Sequence, residues 1–290
     1  MTRIIESLAE IAGDYDALFC DLWGCVHNGI AALPDAVAVL KGFRAGGGRV
    51  VLLTNAPRPW REVAHQIDGL GVPRDAWDAI ATSGDSARLA MYEGVVGTRV
   101  YFIGEDRDLG FFSPMHLVED APDIARVPLT AAEGIVCTGP RDPKADPAEY
   151  RGDFLYAKTR GLKLLCANPD VVVDKGESRE WCAGALAALY TEMGGESLYF
   201  GKPHPPVYEL ARRRLSEHGG SIPDSRILAI GDGIHTDISG ALQEDIDSLF
   251  VTGGLAARET KTARQPDEDA LNSFVEKEMI TPTYAIGFLR

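Results

Sequence analysis

The sequence predicts an α/β protein built around a parallel sheet. Short β-type runs alternate with amphipathic helical segments along the 290 residues, which is the pattern of strands joined by helices. Four of the runs, around residues 17–23, 49–55, 226–232 and 248–252, are continuously apolar. Such runs are typical of parallel strands, because both faces of a parallel sheet are covered.

Eight runs are predicted as strands. In chain order they read "ALFCDLW", "RVVLLTN", "VYFIG", "GIVCTG", "LKLLCANP", "SLYFG", "RILAIGD" and "SLFVTG". Helical patterns lie between them, for example "LPDAVAVLKGFRAGGG" and "PPVYELARRRLSEHGG". The second of these opens after prolines and closes on glycines, which favour helix starts and helix ends respectively.

The middle of the chain differs in composition from the rest. Residues 105–130 and 139–153 are rich in Pro, Asp and Gly, and the predicted strands there are shorter. We interpret this part as a second α/β unit inserted into the first. The predicted division assigns residues 1–81 and 182–290 to the core and residues 82–181 to the insert.

Composition restricts the class of protein. With 45% hydrophobic and 25% charged residues, the chain resembles an ordinary globular protein, and no apolar stretch approaches the ~20 residues of a membrane span.

The N-terminal segment "MTRIIESLAEIAGDYD" is acidic where a signal peptide is basic and apolar, so we expect a cytoplasmic protein. The five cysteines are scattered without a CxxC pair, which predicts reduced core residues rather than disulfides or a zinc site.

The formal net charge of −14 argues against nucleic acid or an anionic membrane as a partner. It also sets a condition on a phosphorylated substrate. The repulsive field of the chain must then be overcome locally by a metal ion, a lysine or oriented backbone amides.

Polar side chains follow several of the predicted strands. At or just past these strand ends lie Asp21, Thr54, Asn55, Lys202 and Asp232, with Asp237 five residues after the last. Ligands of open α/β sheets bind outside the carboxyl ends of the strands. If the strands are neighbours, we therefore expect these groups to meet in one crevice.

The chemistry that such a set supports is phosphoryl transfer. Clustered carboxylates repel one another unless a divalent cation is present, and oxygen ligands select a hard ion such as Mg²⁺. Thr54 and strand-end amides can hold phosphate oxygens, while Lys202 offsets negative charge. A carboxylate can then act as nucleophile and form an aspartyl-phosphate that water hydrolyses.

Four motifs carry a resemblance to a known family. "DLWGC", "LLTN", "GKPHP" and "GDGIHTD" stand in the order and roughly the spacing of the motifs of the haloacid dehalogenase (HAD) superfamily. The insert, with "TSGDSA" near its start and "CANPD" near its end, resembles a class IIA (C2-type) cap, and "SLFVTGG…TPTYAIGFL" is similar to the family's terminal pattern. The resemblance covers nearly the whole chain. It implies a HAD-like Rossmannoid core, an inserted α/β cap and phosphatase activity.

The resemblance also implies roles for individual residues. Asp21 would be the nucleophile and a Mg²⁺ ligand, and Asp232 would be a second Mg²⁺ ligand. Asp237 would bind the ion or orient a water bound to it. Thr54 and the Asn55 backbone would bind phosphate, and Lys202 would steady the nucleophile and the phosphate with its positive charge. Asn168 and Asp170 of "CANPD" would contact the substrate, the alternative being a plain Asn-Pro turn.

Trp23 departs from the family pattern. The family residue two places after the nucleophile gives its backbone carbonyl to the metal and an Asp side chain as general acid/base; Trp23 can supply only the carbonyl. Acid/base catalysis contributes roughly 10²–10⁴-fold, so the enzyme is expected to be slow rather than inactive. His27 is either a packed turn residue or a substitute proton donor.

Three functions remain open from the sequence. The favoured one is a Mg²⁺-dependent phosphatase acting on a small organic phosphate monoester such as a sugar phosphate, a nucleotide or an aryl phosphate. The second is a catalytically weak protein that binds a phosphorylated ligand, and the third is a metal-free haloacid dehalogenase, a group that carries Tyr at the position of Trp23. Caps of this class often mediate dimers, so the resemblance also implies a candidate homodimer through the cap.

Overall fold

The runs predicted as strands form two parallel sheets in a computed structural model of the chain. The structure describes residues 2–115, 118, 120–175 and 178–290. All eight predicted strands are present, so the predicted α/β fold class is confirmed.

The strands of the described chain vary from two to six residues. Their bounds are β1 (Arg3–Ile4), β2 (Ala17–Cys20), β3 (Arg49–Thr54), β4 (Ala79–Thr82), β5 (Arg99–Ile103), β6 (Ala125–Arg126), β7 (Gly134–Cys137), β8 (Lys163–Cys166), β9 (Val172–Lys175), β10 (Ser178–Trp181), β11 (Glu196–Tyr199), β12 (Ile227–Gly231), β13 (Asp247–Val251) and β14 (Tyr284–Ile286).

The helices alternate with these strands. Their bounds are α1 (Pro34–Ala45), α2 (Trp60–Gly69), α3 (Ser83–Tyr92), α4 (Arg151–Thr159), α5 (Ala183–Glu192), α6 (Pro205–Ser216), α7 (Ser239–Gln243), preceded by a π-helical turn at Ile234–Ile238, and α8 (Glu268–Glu278). The two helical segments quoted from the sequence form α1 and α6, and α6 begins at the prolines that favour a helix start.

The larger sheet has the order β1-β14-β13-β12-β2-β3-β4. The pairs from β1 to β3 along this order are parallel. Its centre is formed by the four continuously apolar runs, β13, β12, β2 and β3, in which every residue is buried except the first of β13 and the first of β3. Continuous burial follows from the central position of these strands in a parallel sheet.

The smaller sheet is also parallel, with the order β11-β8-β7-β5-β6. Alternate residues of β7 pack on opposite faces, as the two-residue repeat of a strand requires. Ile135 and Cys137 pack in one core cluster with Phe154 of α4, whereas Val136 packs in another with Met91 of α3. This sheet is therefore covered on both faces by its own helices. Strands β9 and β10 form a separate antiparallel pair.

Backbone contacts divide the chain into two compact units. The first contains the chain up to Thr54, Ala64–Ala81 and Tyr208–Arg290, and the second contains Asn55–Val63 and Thr82–Val207. The larger sheet belongs to the first unit and the smaller sheet to the second.

These units differ from the predicted domains at two places. Strand β11 pairs with β8 in the smaller sheet, so the chain stays in the second unit beyond the predicted boundary at residues 181 and 182. The short segment Asn55–Val63 also groups with the second unit. Composition could not indicate either point, because both depend on pairing between distant segments. The division into a catalytic core and a cap stays a prediction.

Two further predictions concern the cysteines and the membrane. All five cysteines are buried and free of disulfide bonds, as predicted. In the described part of the chain, no helix combines the length and the apolar character that a bilayer crossing requires.

Candidate functional site

Three of the predicted site residues lie at the ends of neighbouring strands. In the register of the sheet, Cys20 of β2 is paired with Ile230 of β12 on one side and Leu52 of β3 on the other. The residues that follow, Asp21 and Asp232, therefore leave the sheet at the same edge, and the backbone N–H of Asp21 donates to the Ile230 carbonyl at 2.8 Å. Together with Thr54 of β3 they are buried, with exposed fractions of 7%, 4% and 9% for Asp21, Asp232 and Thr54.

Asp21 and Asp232 form a buried cluster with Cys25. One ligand atom from each of the three side chains lies within 4.8 Å of the others. The Leu255 N–H donates to Oδ2 of Asp232 at 3.0 Å, which fixes this carboxylate. Gly24 has φ of +75° and lies so close that a Cβ there would be 2.2 Å from the same oxygen. The glycine of "DLWGC" is thus required both by its backbone conformation and by this close approach.

The thiol of Cys25 is a site feature that the sequence reasoning missed. Burial is the main cause that raises the pKa of Cys25 well above its ordinary value, and the charges of Asp232 and Asp21 act in the same direction. The thiol is therefore neutral beside the two carboxylates. The available signal is its position four residues after Asp21, but the scattered spacing of the five cysteines predicts ordinary core residues.

Asp237 lies near this cluster and outside it. Among the described residues, the three-residue cluster with ligand atoms in mutual reach does not include Asp237. Its Oδ2 accepts from the Gly233 N–H at 3.1 Å and from the Thr236 hydroxyl at 3.3 Å. The side chain also lies against Gly231, where a Cβ would be 2.1 Å from Cγ of Asp237. Its predicted contact with a metal or a metal-bound water stays a prediction.

The indole of Trp23 packs within its own loop. A Cβ at Gly29 would lie 2.3 Å from Cη2 of Trp23, so the ring lies directly over that glycine. The indole also meets the ring of His27 edge-to-face, with 5.5 Å between centroids. No carboxylate is supplied by position 23, and the predicted metal contact through the Trp23 carbonyl stays a prediction.

His27 has the properties of a packed turn residue. It is 3% exposed, and its Nδ1 accepts a hydrogen bond from the Gly29 N–H at 3.0 Å. Burial lowers the pKa of His27 to about 4, so the imidazole is neutral near pH 7. A neutral ring whose Nδ1 is already hydrogen-bonded does not replace the missing carboxylic acid.

The other four predicted site residues belong to the second unit, where they are hydrogen-bonded to one another. The Oδ1 atom of Asn55 accepts from the Lys202 N–H at 2.7 Å, and its Nδ2 donates to the Lys202 carbonyl at 3.1 Å and to Oδ1 of Asp170 at 2.8 Å. Oδ1 of Asn168 accepts from the Asp170 N–H at 3.0 Å, an Asx turn. Asp170 thus holds the Asn55 amide and Asn168 holds the backbone of Asp170, and the predicted contact of both with substrate stays a prediction.

Comparison with known proteins identifies the family. A family model described as haloacid dehalogenase-like hydrolase matches residues 18–115, and one described as HAD-hydrolase-like matches residues 199–276. The crystal structure of a haloacid dehalogenase-like family hydrolase from Brucella suis 1330 is similar over 99% of this chain and 100% of its own, with 38% identity and a TM-score of 0.84. The chain belongs to the haloacid dehalogenase-like hydrolase family. The resemblance inferred from the four motifs is confirmed.

The relatives of this HAD-like hydrolase include two phosphatases that it matches over most of its length. The ribonucleotide monophosphatase NagD of Escherichia coli K12 is 23% identical over 248 residues, which are 83% of this chain and 88% of the relative. The D-glycerol 3-phosphate phosphatase of Mycobacterium tuberculosis H37Rv is 26% identical over 254 residues, which are 86% of this chain and 66% of the relative.

The buried cluster of this HAD-like hydrolase fits a divalent cation. Two carboxylates with ligand atoms within 4.8 Å of each other and little solvent repel strongly without a positive charge between them. Their oxygens suit a hard ion such as Mg²⁺. The sulfur of Cys25 adds a ligand that softer ions prefer.

Proposed function

We propose that this hydrolase is a Mg²⁺-dependent phosphatase that acts on a small organic phosphate monoester. The observation that carries the proposal is the buried pair of carboxylates, Asp21 and Asp232, at the ends of adjacent parallel strands. The E. coli and M. tuberculosis relatives, both phosphatases, support the same activity.

The metal would be held by the side chains of Asp21 and Asp232, with the Trp23 carbonyl and Asp237 as the further predicted contacts. When bound, Mg²⁺ supplies positive charge that stabilises the carboxylates and the phosphate oxygens. The neutral Cys25 thiol is compatible with this role, since it adds no further negative charge to the site.

Asp21 is the proposed nucleophile. Its carboxylate oxygen attacks phosphorus, the bond from phosphorus to the ester oxygen breaks, and an aspartyl-phosphate forms. Water then attacks the phosphorus, which releases inorganic phosphate and restores the carboxylate of Asp21. Thr54 and the backbone N–H of Asn55 would hold the phosphate oxygens, and the Lys202 ammonium would offset their charge.

The leaving group distinguishes this enzyme from one with a carboxylate at position 23. The Trp23 indole cannot give a proton to the departing oxygen, and His27 is neutral with its Nδ1 hydrogen-bonded. The departing ester oxygen must then take its proton from solvent. Aryl phosphates, whose oxygen leaves as a weak base, are therefore the better substrates, while alkyl phosphates lose most of the roughly 10²–10⁴-fold that a positioned acid contributes.

Turnover of p-nitrophenyl phosphate by the purified chain tests the proposal. Release of nitrophenol should require Mg²⁺, should be removed by EDTA and restored by added Mg²⁺, and should be abolished in Asp21→Asn. The exposed Asp14 provides a matched control, since Asp14→Asn makes the same chemical change outside the site. Metal-independent chloride release from a haloacid would overturn the proposal in favour of a dehalogenase.

One observation favours a second function, a catalytically weak protein that binds a phosphorylated ligand. Position 23 supplies no acid to protonate a leaving group. The buried carboxylates are nevertheless present, and so is Lys202 with its backbone hydrogen-bonded to Asn55. Saturable Mg²⁺-dependent binding of phosphate esters with no turnover, on aryl and alkyl substrates alike, would favour this function over the phosphatase.

A further inference from the structure

In the smaller sheet, successive strands along the chain are added first on one side of β5 and then, from β7 onward, on the other side. The chain passes from β5 outward to β6, returns across β5 to β7, and continues outward through β8 to β11. Counted within the unit, this is the order 2-1-3-4-5, which flavodoxin-like sheets share. The loops that follow β5 and β7 therefore diverge, and such a switch point is where open α/β sheets form a crevice for ligands.

An open cleft of about 560 Å³ lies at this switch point. Its wall includes two acids, Glu105 and Asp106, with Gly104 and three arginines: Arg107 after β5, Arg126 of β6 and Arg141 in the loop after β7. Three neighbouring strands thus contribute one arginine each. The volume lies in the range of small-molecule sites, roughly 300–1,000 Å³.

The ends of β5 and β7 beside the cleft are held tightly together. The Thr138 N–H at the end of β7 donates to the Ile103 carbonyl of β5 at 2.9 Å, and its hydroxyl donates to Oδ2 of the buried Asp108 at 3.0 Å. A Cβ at Gly104 would lie 2.1 Å from that hydroxyl oxygen. These contacts fix the ends of the two strands against each other, so the arginines project from a defined frame.

Two of the three guanidinium groups have no carboxylate partner. Arg107 is paired with Glu105. The Arg141 Nη2 donates at 2.6 Å to the hydroxyl of Tyr101, which itself donates to Oδ2 of Asp153 at 2.8 Å. Arg126 lies over the Phe112 ring, with 5.6 Å from Cζ to the centroid. Within the described chain, no ion pair joins Arg126 or Arg141 to an acid, although the chain carries a net charge of −14.

We propose that this cleft is a binding site for a small molecule that carries a phosphate group. Two unpaired guanidinium groups on opposite sides of β5 match the charge of a phosphate monoester, which is close to −2 near neutral pH. The planar guanidinium also has the donor geometry that phosphate oxygens accept. A simple carboxylate would neutralise only one of the two. None of Asp21, Asp232, Thr54 and Lys202 lines the cleft, so the site does not depend on the catalytic proposal.

NMR of the arginine Nε–Hε groups tests this site directly. Inorganic phosphate is titrated into the full-length protein in EDTA, with the signals of Arg126, Arg141 and Arg151 assigned by substitution. The Arg126 and Arg141 signals should shift along a saturating curve. Arg151 is exposed on α4 outside the cleft, and its signal should stay in place.

Substitution and competing anions complete the test. Arg126→Gln should weaken the phosphate response of Arg141 by about tenfold, the weight of one charge-assisted hydrogen bond, whereas Arg151→Gln should leave it unchanged. Acetate should bind more weakly than phosphate, and chloride at equal ionic strength should give no saturable shift. Arg126 and Arg141 signals that stay in place, or that respond to chloride as they do to phosphate, would overturn the proposal. Loss of phosphatase activity in Asp21→Asn has no bearing on it, so the two proposals fail independently.

Discussion

The side-chain amide of Asn55 brackets the main chain of Lys202. It accepts from the Lys202 N–H at 2.7 Å and donates to the Lys202 carbonyl at 3.1 Å. One side chain therefore satisfies both backbone polar groups of Lys202, a residue that is only 2% exposed. Gly201 makes the approach possible, because a Cβ there would lie 2.5 Å from Oδ1 of Asn55. The backbone from which the Lys202 ammonium extends is therefore fixed by Asn55.

Replacing Asn55 should therefore reduce turnover. Asn55→Ala leaves two buried backbone groups of Lys202 without this partner, which costs about 1–3 kcal/mol of unfolding free energy for each group. Displacement of the lysine should lower kcat by up to roughly 100-fold. Steady-state kinetics on p-nitrophenyl phosphate measures the loss, and Asn272→Ala, on the exposed side of α8, is the control. An Asn55→Ala variant with wild-type kcat would show that Lys202 is held by other contacts.

Asp170 offers a test between positioning and substrate recognition. Its Oδ1 accepts from Nδ2 of Asn55 at 2.8 Å, and the amide oxygen in Asp170→Asn can accept the same bond. If Asp170 acts through Asn55, Asp170→Ala should lower kcat by one common factor on aryl and alkyl phosphates, and Asp170→Asn should recover most of it. A change in the ranking of substrates would instead assign Asp170 to the substrate pocket.

Trp23→Asp should restore an acid where the family carries one. We expect the rate on an alkyl phosphate such as glycerol 3-phosphate to rise by up to roughly 100-fold, and the rate on p-nitrophenyl phosphate to change much less. Trp23→Asn is the matched control, because it removes the same packing on Gly29 and His27 without adding a carboxyl group. Equal rates for the Asp and Asn variants, with melting temperatures that show both are folded, would contradict this prediction.

His27 should make the protein less stable in acid. Burial lowers its pKa from 6.5 to about 4, so the unfolded chain binds a proton that the folded chain excludes between these values. Stability is therefore full above about pH 6.5 and falls as the pH drops toward 4, by roughly 2 to 3 kcal/mol in all. Urea unfolding across this window measures the loss.

The matched variants for this effect are His27→Asn and His65→Asn. In the first, the amide oxygen can replace Nδ1 as acceptor for the Gly29 N–H, and the titrating ring is gone. This variant should lose less stability than the wild type between neutral pH and about pH 4.5. His65 is exposed and lies outside the loop of His27, so His65→Asn is the control for the substitution itself. The same slope in all three proteins would assign the acid sensitivity to other groups.

The sequence predicts those features of the fold that depend on residues close together in the chain, and it does not predict those that depend on residues far apart. The central strands were found because continuous apolar runs are a local signal, and Asp21 and Asp232 because each directly follows such a run. The sequence does not predict strand β6, which has only two residues, both exposed, or β14, whose three residues lie within the terminal motif. Patterning has little to act on in strands of that length.

The contacts of the candidate site are less accessible to sequence reasoning. The bond between Asn55 and Lys202 joins residues 147 positions apart, and no local pattern encodes it. The cleft with Arg126 and Arg141 exists only because β5, β6 and β7 are neighbours in an order different from their order in the chain. Residue types at strand ends could therefore be predicted, whereas their partners could not.

Cys25 should change which metal ions the site prefers. Its sulfur lies with Asp21 and Asp232 in one cluster, and a thiol beside two carboxylates adds affinity for softer ions such as Cd²⁺. A coordinating thiol is deprotonated by the ion, so Cd²⁺ binding to the metal-free protein should produce a thiolate-to-metal charge-transfer band. Calorimetry should show Cd²⁺ binding weakened by about tenfold or more in Cys25→Ser, on the scale seen for other residues that support metal sites. Mg²⁺ binding, which relies on oxygen ligands, should change far less.

Cys137→Ser is the control for this variant, since Cys137 is an equally buried thiol of the second unit and is not part of the cluster. It should leave the charge-transfer band and the Cd²⁺ affinity unchanged. A band that persists in Cys25→Ser and disappears in Cys137→Ser would place the soft-metal site elsewhere. An equal loss of Mg²⁺ and Cd²⁺ binding in Cys25→Ser would mean that the thiol supports the packing of Asp21 and Asp232 rather than contacting the ion. Selective loss of Cd²⁺ alone is the outcome that the buried cluster predicts, because only the sulfur distinguishes the two ions there.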